Sequence, residues 1–200
     1  MTPDAILPTY DRHADDYRRL RNRSLFERRW LDRWLAHMPG RRALDLGCGP
    51  GVPIAAYLAD RRVAVTGVDG SEAMIALFRA ALPRAEAIHA DMRGLDLGRQ
   101  FDGILAWNSF FHLSADDQRG MFDVFARHAA PGAALMFTSG PSEGEAIGDV
   151  AGAPVYHASL SPAAYRDALA GAGFDVVDFV PEDPACNGHT IWLARRAAIA

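Results

Sequence analysis

Residues 45–51 read Asp-Leu-Gly-Cys-Gly-Pro-Gly, an apolar run closed by an acid and three glycines at alternate positions. Glycine at a strand-to-helix turn lets the main chain approach a ligand that side chains would hold off, with backbone N–H groups facing it. The spacing narrows the ligand. A dinucleotide fingerprint reads G-x-G-x-x-G, its last glycine letting helix and strand pack beside a pyrophosphate. Here Gly47, Gly49 and Gly51 run one position tighter, and Val52 stands where that last glycine would be. An ordinary tight turn needs neither a third glycine nor an acid; Asp45 completes the pattern D-x-G-x-G-x-G.

Further along lie residues that can accept protons or hydrogen bonds. Asp69, in Val65-Thr66-Gly67-Val68-Asp69-Gly70-Ser71, falls about 20 residues past the turn, where nucleotide folds set a carboxylate on ribose hydroxyls. Its competing role is to cap the next helix, which Ser71 can do itself. His112, Glu143, His157 and, more remotely, His189 are candidate general bases, and no motif singles one out. His112 has a second reading, as a residue that orients a loop by hydrogen bonds. No His, Cys and carboxylate cluster has metal-ligand spacing, so no metal is expected.

These residues need a scaffold, and from residue 24 onward short apolar runs alternate with helical patterns, the signature of a parallel sheet covered on both faces. After Ser24 as N-cap, Phe26, Trp30, Trp34 and Met38 recur at helical spacing, with Leu31 and Leu35 widening the stripe; the helix stops at Pro39-Gly40. Strands are expected at 43–46, 63–68, 86–89, 101–106 and 133–138, and helices at 52–59, 71–80 and 115–127. The segment 140–160 exceeds the ~12–15 residues of an ordinary unstructured connection. It is expected to be a lid, with a hairpin pairing 146–150 with 154–159. Ser161-Pro162 then opens a helix to residue 170, and the runs 174–180 and 190–194, with no helix between them, should pair antiparallel at one sheet edge.

Two hundred residues suit one domain, which buries about 70% of the unfolded chain's surface. Residues 1–40 would form an N-terminal helical cap. With a net charge of −4 and half its residues hydrophobic, the chain lacks the basic excess that phosphate-backbone binding brings, which disfavours nucleic acid as a partner. The basic concentration at Arg18, Arg19, Arg21, Arg23, Arg28 and Arg29 is interleaved with Asp15, Asp16, Glu27 and Asp32 and reads as a solvated helical face. Cys48 and Cys186 lack metal-ligand spacing, and a disulfide at Cys48 would obstruct the turn, so a reduced, cytoplasmic setting is expected. No run reaches the ~20 apolar residues of a membrane span, and the first residues lack a signal-peptide pattern. Oligomeric state stays open.

The pattern at 45–51, with the element order around it, resembles the class I S-adenosylmethionine-dependent methyltransferases, small-molecule type, over nearly the whole chain. The resemblance implies a Rossmann-like doubly wound α/β fold: a seven-stranded, mostly parallel sheet with helices on both faces and a final antiparallel strand. It implies S-adenosylmethionine as cofactor and methyl transfer to a small-molecule acceptor, its nucleophile O, N or S. It gives the turn (Asp45, Gly47, Cys48, Gly49, Gly51) to the methionine part and Asp69, beside Gly70, to the ribose hydroxyls. Asp91 and Met92 become an adenine clamp and Met74 an adenine face, where core packing is the competing reading. Tyr10 or Tyr17 would close the pocket, Arg18 or Arg23 would meet the methionine carboxylate, and Trp107 would border the methyl group. The family's base-modifying members often carry Asn/Asp-Pro-Pro-aromatic where this chain has Asn108-Ser109-Phe110-Phe111, which departs from that pattern; His112-Leu113 is closer to the small-molecule branch. The competing functions are a sensor that binds S-adenosylmethionine without transfer, a protein or tRNA methyltransferase, and a nicotinamide-dependent oxidoreductase. The sensor would have Trp107, Phe110 and Phe111 filling the space beyond the methyl.

Overall fold

The computed structural model describes residues 2–198; Met1, Ile199 and Ala200 of the expected 1–200 domain lie outside it. In chain order the elements are α1 (Ile6–Leu20), α2 (Arg28–His37), β1 (Arg42–Leu46), α3 (Ile54–Asp60), β2 (Ala64–Asp69), α4 (Glu72–Ala81), β3 (Glu86–His89), β4 (Phe101–Ala106), α5 (Ala115–His128), β5 (Ala129–Ser139), β6 (Gly144–Val150), β7 (Ala153–Ser159), α6 (Pro162–Gly171), β8 (Phe174–Asp183) and β9 (His189–Arg196). Seven strands form one sheet in the order β3-β2-β1-β4-β5-β9-β8, and β6 and β7 form a separate hairpin. Strands β1 to β5 run parallel, and β9 is antiparallel to both its neighbours.

Strand residues alternate faces with a period of two, and this sorts two cores. Leu44 and Leu46 of β1, Leu135 and Phe137 of β5 and Trp192 of β9 face one side, where Phe122 and Phe125 of α5 and Tyr165 and Leu169 of α6 cover them. Ala43, Ala134, Met136 and Leu193 face the other, under Trp34 of α2, Leu58 of α3 and Phe78 of α4. Gly103 in β4 lets α2 lie close: a Cβ there would sit 2.5 Å from the Trp34 ring, whose Nε1–H donates to Ala134 O on the next strand. Because β1 sits between β2 and β4, connections leave it in opposite directions, and the crevice at its carboxyl end is where ligands gather in such sheets.

The expected strands 86–89 and 101–106 coincide with β3 and β4; β5 begins four residues ahead of 133, pairing Ala129 with Phe101 across a bulge. Ser24 is not a helix cap. Leu25 takes a φ of 55° and its carbonyl accepts Arg28 N–H, so a turn precedes α2. Nor is the basic segment wholly a solvated face. Arg18 and Arg19 do pair with Asp15 and Asp16 in solvent, whereas Arg21 is inward and pairs with fully buried Glu27. The hairpin turns at Ala151-Gly152, φ 53° and 84°, the left-handed geometry that matches strand twist in a two-residue loop.

Both covering segments dock on the site end of the sheet. Asp11 of α1 accepts Ser71 Oγ–H at 2.6 Å and Ala73 N–H at 3.2 Å at the start of α4, where a negative charge is also favoured by the helix dipole. Ser71 Oγ in turn accepts Met74 N–H, so it is the α4 cap. Val155, Tyr156 and Ala158 of β7 bury themselves against Ile6 of α1, with Tyr10 and Tyr17 alongside. The exit of the hairpin is held by fully buried Gln118 and Tyr165. Gln118 donates to Leu113 O and Ala158 O, and Tyr165 OH donates to Gln118 Oε1 while accepting Leu160 N–H.

Removing the Tyr165 hydroxyl leaves a buried carbonyl oxygen and a buried amide without a partner. Tyr165→Phe should therefore destabilise the fold by about 1–3 kcal/mol, read as a lower urea midpoint at unchanged m-value.

Candidate functional site

The turn after β1 is shaped by packing as much as by any ligand. A Cβ on Gly47 (φ 72°) would lie 2.2 Å from Ser109 Cβ, and one on Gly51 (φ 76°) would lie 2.8 Å from the Phe78 ring. Gly49 (φ 53°) faces more open space, its nearest neighbour the Tyr17 ring at 3.9 Å. The amides do not wait for a ligand. Gly47 and Cys48 N–H donate to Val68 O, Gly49 N–H to Asp69 Oδ2 at 2.9 Å, and Gly51 N–H to Cys48 O. The expectation that these amides face a ligand is thus corrected: the four are engaged inside the protein, and a pyrophosphate would find no nest of free donors at these positions.

What the pocket offers instead is acceptors. Asp45 is 4% exposed on the pocket wall, and its carboxylate has no hydrogen-bond partner among the described residues. Burial, helped by the nearby Asp69 charge, pushes its carboxyl up to about 7. Asp69 binds the turn with one oxygen and Ser71 N–H with the other. Burial also raises its carboxyl, against the lowering effect of those two hydrogen bonds. Asp91, at the end of β3, is exposed on one side and gripped by Arg93 at 2.6 Å. Desolvation would raise its carboxyl, but the Arg93 hydrogen bonds and charge hold it below the usual range.

The remaining residues singled out from sequence fall on the same pocket. Gly70, Met74, Met92, Trp107 and Tyr17 line it together with the turn. Met74 is both readings at once, being 1% exposed and on the wall. Gly70 serves α1, since a Cβ there would lie 2.7 Å from Leu7. Trp107 is 5% exposed, its Nε1–H has no partner among the described residues, and its ring stacks on His189 at 5.6 Å and 19°. Tyr10 and Tyr17 meet edge to face at 5.6 Å and close the top. Of the arginines, Arg18 and Arg23 point away; Arg21 lines the pocket. Helical spacing did not distinguish it, because the Glu27 that turns it inward lies beyond α1.

His112 is 7% exposed, with both ring nitrogens engaged. Tyr156 O, 2.9 Å from Nδ1, can only accept, so Nδ1 carries the hydrogen and Nε2 presents a lone pair. Tyr10 OH, 2.8 Å away, therefore donates to Nε2. Burial pushes the imidazole down to about 4, so it stays neutral in this latch between α1 and β7. His157 lies on the wall of a second cavity, between the rings of Phe111 and His112. Glu143 is exposed and lines neither cavity. Cys48 and Cys186 are free and buried. Among the described residues no group of three or more metal-binding side chains occurs, and no helix is long and apolar enough to cross a membrane.

Residues 43–132 match the family described as methyltransferase domain. The cypemycin N-terminal methyltransferase of a Streptomyces species is 34% identical over 131 residues, 62% of this chain and 53% of that protein. A dTDP-3-amino-3,6-dideoxy-alpha-D-glucopyranose N,N-dimethyltransferase of Streptomyces fradiae is 34% identical over 90 residues, 44% of this chain and 35% of that protein. The aligned stretches thus span about half or less of these relatives. Among solved structures, a SAM-bound amino pentose methyltransferase from Micromonospora echinaspora superposes with a TM-score of 0.73 at 24% identity, over 92% of this chain and 95% of that one. That likeness establishes the fold.

An acid whose folded pKa lies above its unfolded value costs stability once pH exceeds the unfolded value, and the cost is complete above the folded one. For Asp45 it grows from about pH 4 to about 7. Asp45→Asn should therefore raise the ligand-free melting temperature at neutral pH, by about 1–3 kcal/mol of stability, with the difference shrinking as pH falls toward 4.

Proposed function

We propose, on the premise that this chain belongs with the class I S-adenosylmethionine-dependent methyltransferases by its fold and by the match over residues 43–132, that it transfers a methyl group from S-adenosylmethionine to a small-molecule acceptor. One observation carries the reading. A pocket whose turn amides are engaged and whose unpaired charges are Asp45 and Asp69, Asp91 being held by Arg93 and Arg21 by Glu27, suits a cationic nucleoside better than a diphosphate. The residues fit this donor. Asp69 keeps lone pairs for two ribose hydroxyls, and Asp91 can accept from an exocyclic amine with Met74 and Met92 against the base. Asp45 answers a cation that lowers its raised carboxyl, and Arg21, steadied by Glu27, answers a carboxylate.

When bound, S-adenosylmethionine supplies an electrophilic methyl group on a sulfonium. The chain's part is then alignment and exclusion of water. Tyr10, its proton held by His112, roofs the pocket with Tyr17, and Trp107 walls its far side. The space beyond is not plugged as a pure sensor would have it: Phe110 is fully buried in the core, and Phe111 borders the open second cavity. A small acceptor is supported by the relatives' names, which include a nucleotide amino sugar, and by the net charge of −4. We read the chain as one domain, with α1 and α2 as cap and 140–160 as lid. Two free thiols support a cytoplasmic setting.

Calorimetry with S-adenosylhomocysteine and with NAD tests this directly. Micromolar affinity for the first and none for the second is expected, weakened about 10–100-fold in Asp69→Ala. Binding of S-adenosylmethionine should strengthen as pH rises to about 7 and then level off, because the cation favours ionised Asp45. NAD binding alone would sink the proposal.

A further inference from the structure

The cofactor pocket shares a wall with the second cavity. Tyr10, Tyr17, Asn108 and His112 line both. Trp107 on the first side stacks on His189 on the second, so the indole and imidazole stand back to back between them. His189 begins β9, which the order of the sheet brings beside β5. Its Nδ1 lies 2.8 Å from Cys186 O, which can only accept, so Nδ1 carries the hydrogen. Nε2 is left as a lone pair with no partner among the described residues. His157 lines the same cavity, but no hydrogen bond sets its tautomer.

Resting on the S-adenosylmethionine reading of the first pocket, we propose that the second cavity holds the methyl acceptor, that the acceptor is an amine entering as its ammonium, and that His189 Nε2 takes the proton the nitrogen must lose. The ammonium N–H pair stays on nitrogen as its proton passes to Nε2. That lone pair forms the N–C bond to the methyl carbon while the S–C pair returns to sulfur, leaving a methylated ammonium, a thioether and an imidazolium.

The cavity selects among nucleophiles by charge and basicity. Asp149 and Glu182 stand on its wall, and no arginine lines it among the described residues, so an acid is repelled and a cation drawn in. An acid would also need no base. Burial holds the His189 imidazole below its ordinary value, against the Cys186 hydrogen bond that raises it; Glu27 raises it and Arg21 lowers it further. The rings of Phe26 and Trp107 pack on it, and Asp149, Glu182, His112 and His157 share its cavity. An ordinary imidazole is about four orders of magnitude short of an ammonium near 10.4 and about nine short of a hydroxyl like water's, and burial widens both gaps alike. Only the first gap is compatible with turnover.

The test uses the full chain with nitrogen-15-labelled histidine, saturated with S-adenosylhomocysteine as read by calorimetry. Cyclohexylamine, cyclohexanol and cyclohexanecarboxylate are titrated in at neutral pH. The amine should bind at least tenfold tighter than the other two and move the His189 ring signals; Glu182→Gln and Asp149→Asn should each weaken it severalfold. With S-adenosylmethionine, His189→Gln should keep donor affinity and amine KM, lose about 100-fold or more in kcat, and lose the acid limb of the pH profile. His157→Gln, on the same cavity wall, should shift amine affinity while leaving the acid limb in place. Equal binding of the acid, unmoved His189 signals, a bound amine that is never methylated, or a His189→Gln variant with normal kcat and acid limb would each overturn the proposal. Absence of S-adenosylhomocysteine binding would instead remove the cofactor reading beneath it.

Discussion

One carboxylate joins the two strands on which the site is built. Asp69 ends β2 and accepts Gly49 N–H from the turn after β1 with one oxygen and Ser71 N–H at the mouth of α4 with the other. The turn cannot be reshaped without leaving a charged group unpaired in a partly dehydrated place, which is costly. With Gly47 and Gly51 pinned against Ser109 and Phe78, the turn is a rigid object. Its rigidity sets the pocket's chemistry, because amides engaged inward leave carboxylates to meet the ligand.

Accumulating acids at one sheet end has an electrostatic consequence. Burial raises the cost of ionising Asp45 and Asp69, with the Asp69 charge adding to the first and the Asp11 charge to the second, so the ligand-free site carries strain that a cation relieves. The same negative surface reaches the second cavity through Asp149 and Glu182. The two cations must meet where the cavities adjoin, at Tyr10, Asn108 and His112 beside the partition of Trp107 and His189, and would repel each other there until one of them loses a proton. A proton acceptor at that partition fits this requirement, whereas His112 is committed to holding Tyr10 and Tyr156.

Much of this was legible in the residues. Strand positions follow from a two-residue period, and the Gly-rich turn from left-handed backbone that glycine alone enters cheaply. Hence the edges of β3 and β4 and the Ser71 cap appear where the sequence puts them, and the hairpin turn falls at Ala151-Gly152, one residue tighter than the expected 151–153 loop. Ser24 illustrates the opposite case: a good capping residue with no helix behind it, because Leu25 turns the chain away first. Arg21 is another, indistinguishable from Arg18 and Arg23 by spacing and separated from them only by a buried partner.

By itself, the sequence determined the order of elements, the shape of the turn and the acids at the strand ends, because those rest on periodicity and backbone conformation acting over a few residues. Tertiary structure decided which amides were already engaged, which arginine faces the pocket and which histidine has its tautomer fixed with Nε2 left over. Those depend on partners far apart in the chain: Tyr10 and His112 are 102 positions distant, and His189 meets Trp107 only because β9 folds back beside β5. A hydrogen bond's direction is set by the group at its other end, and no local pattern carries that information.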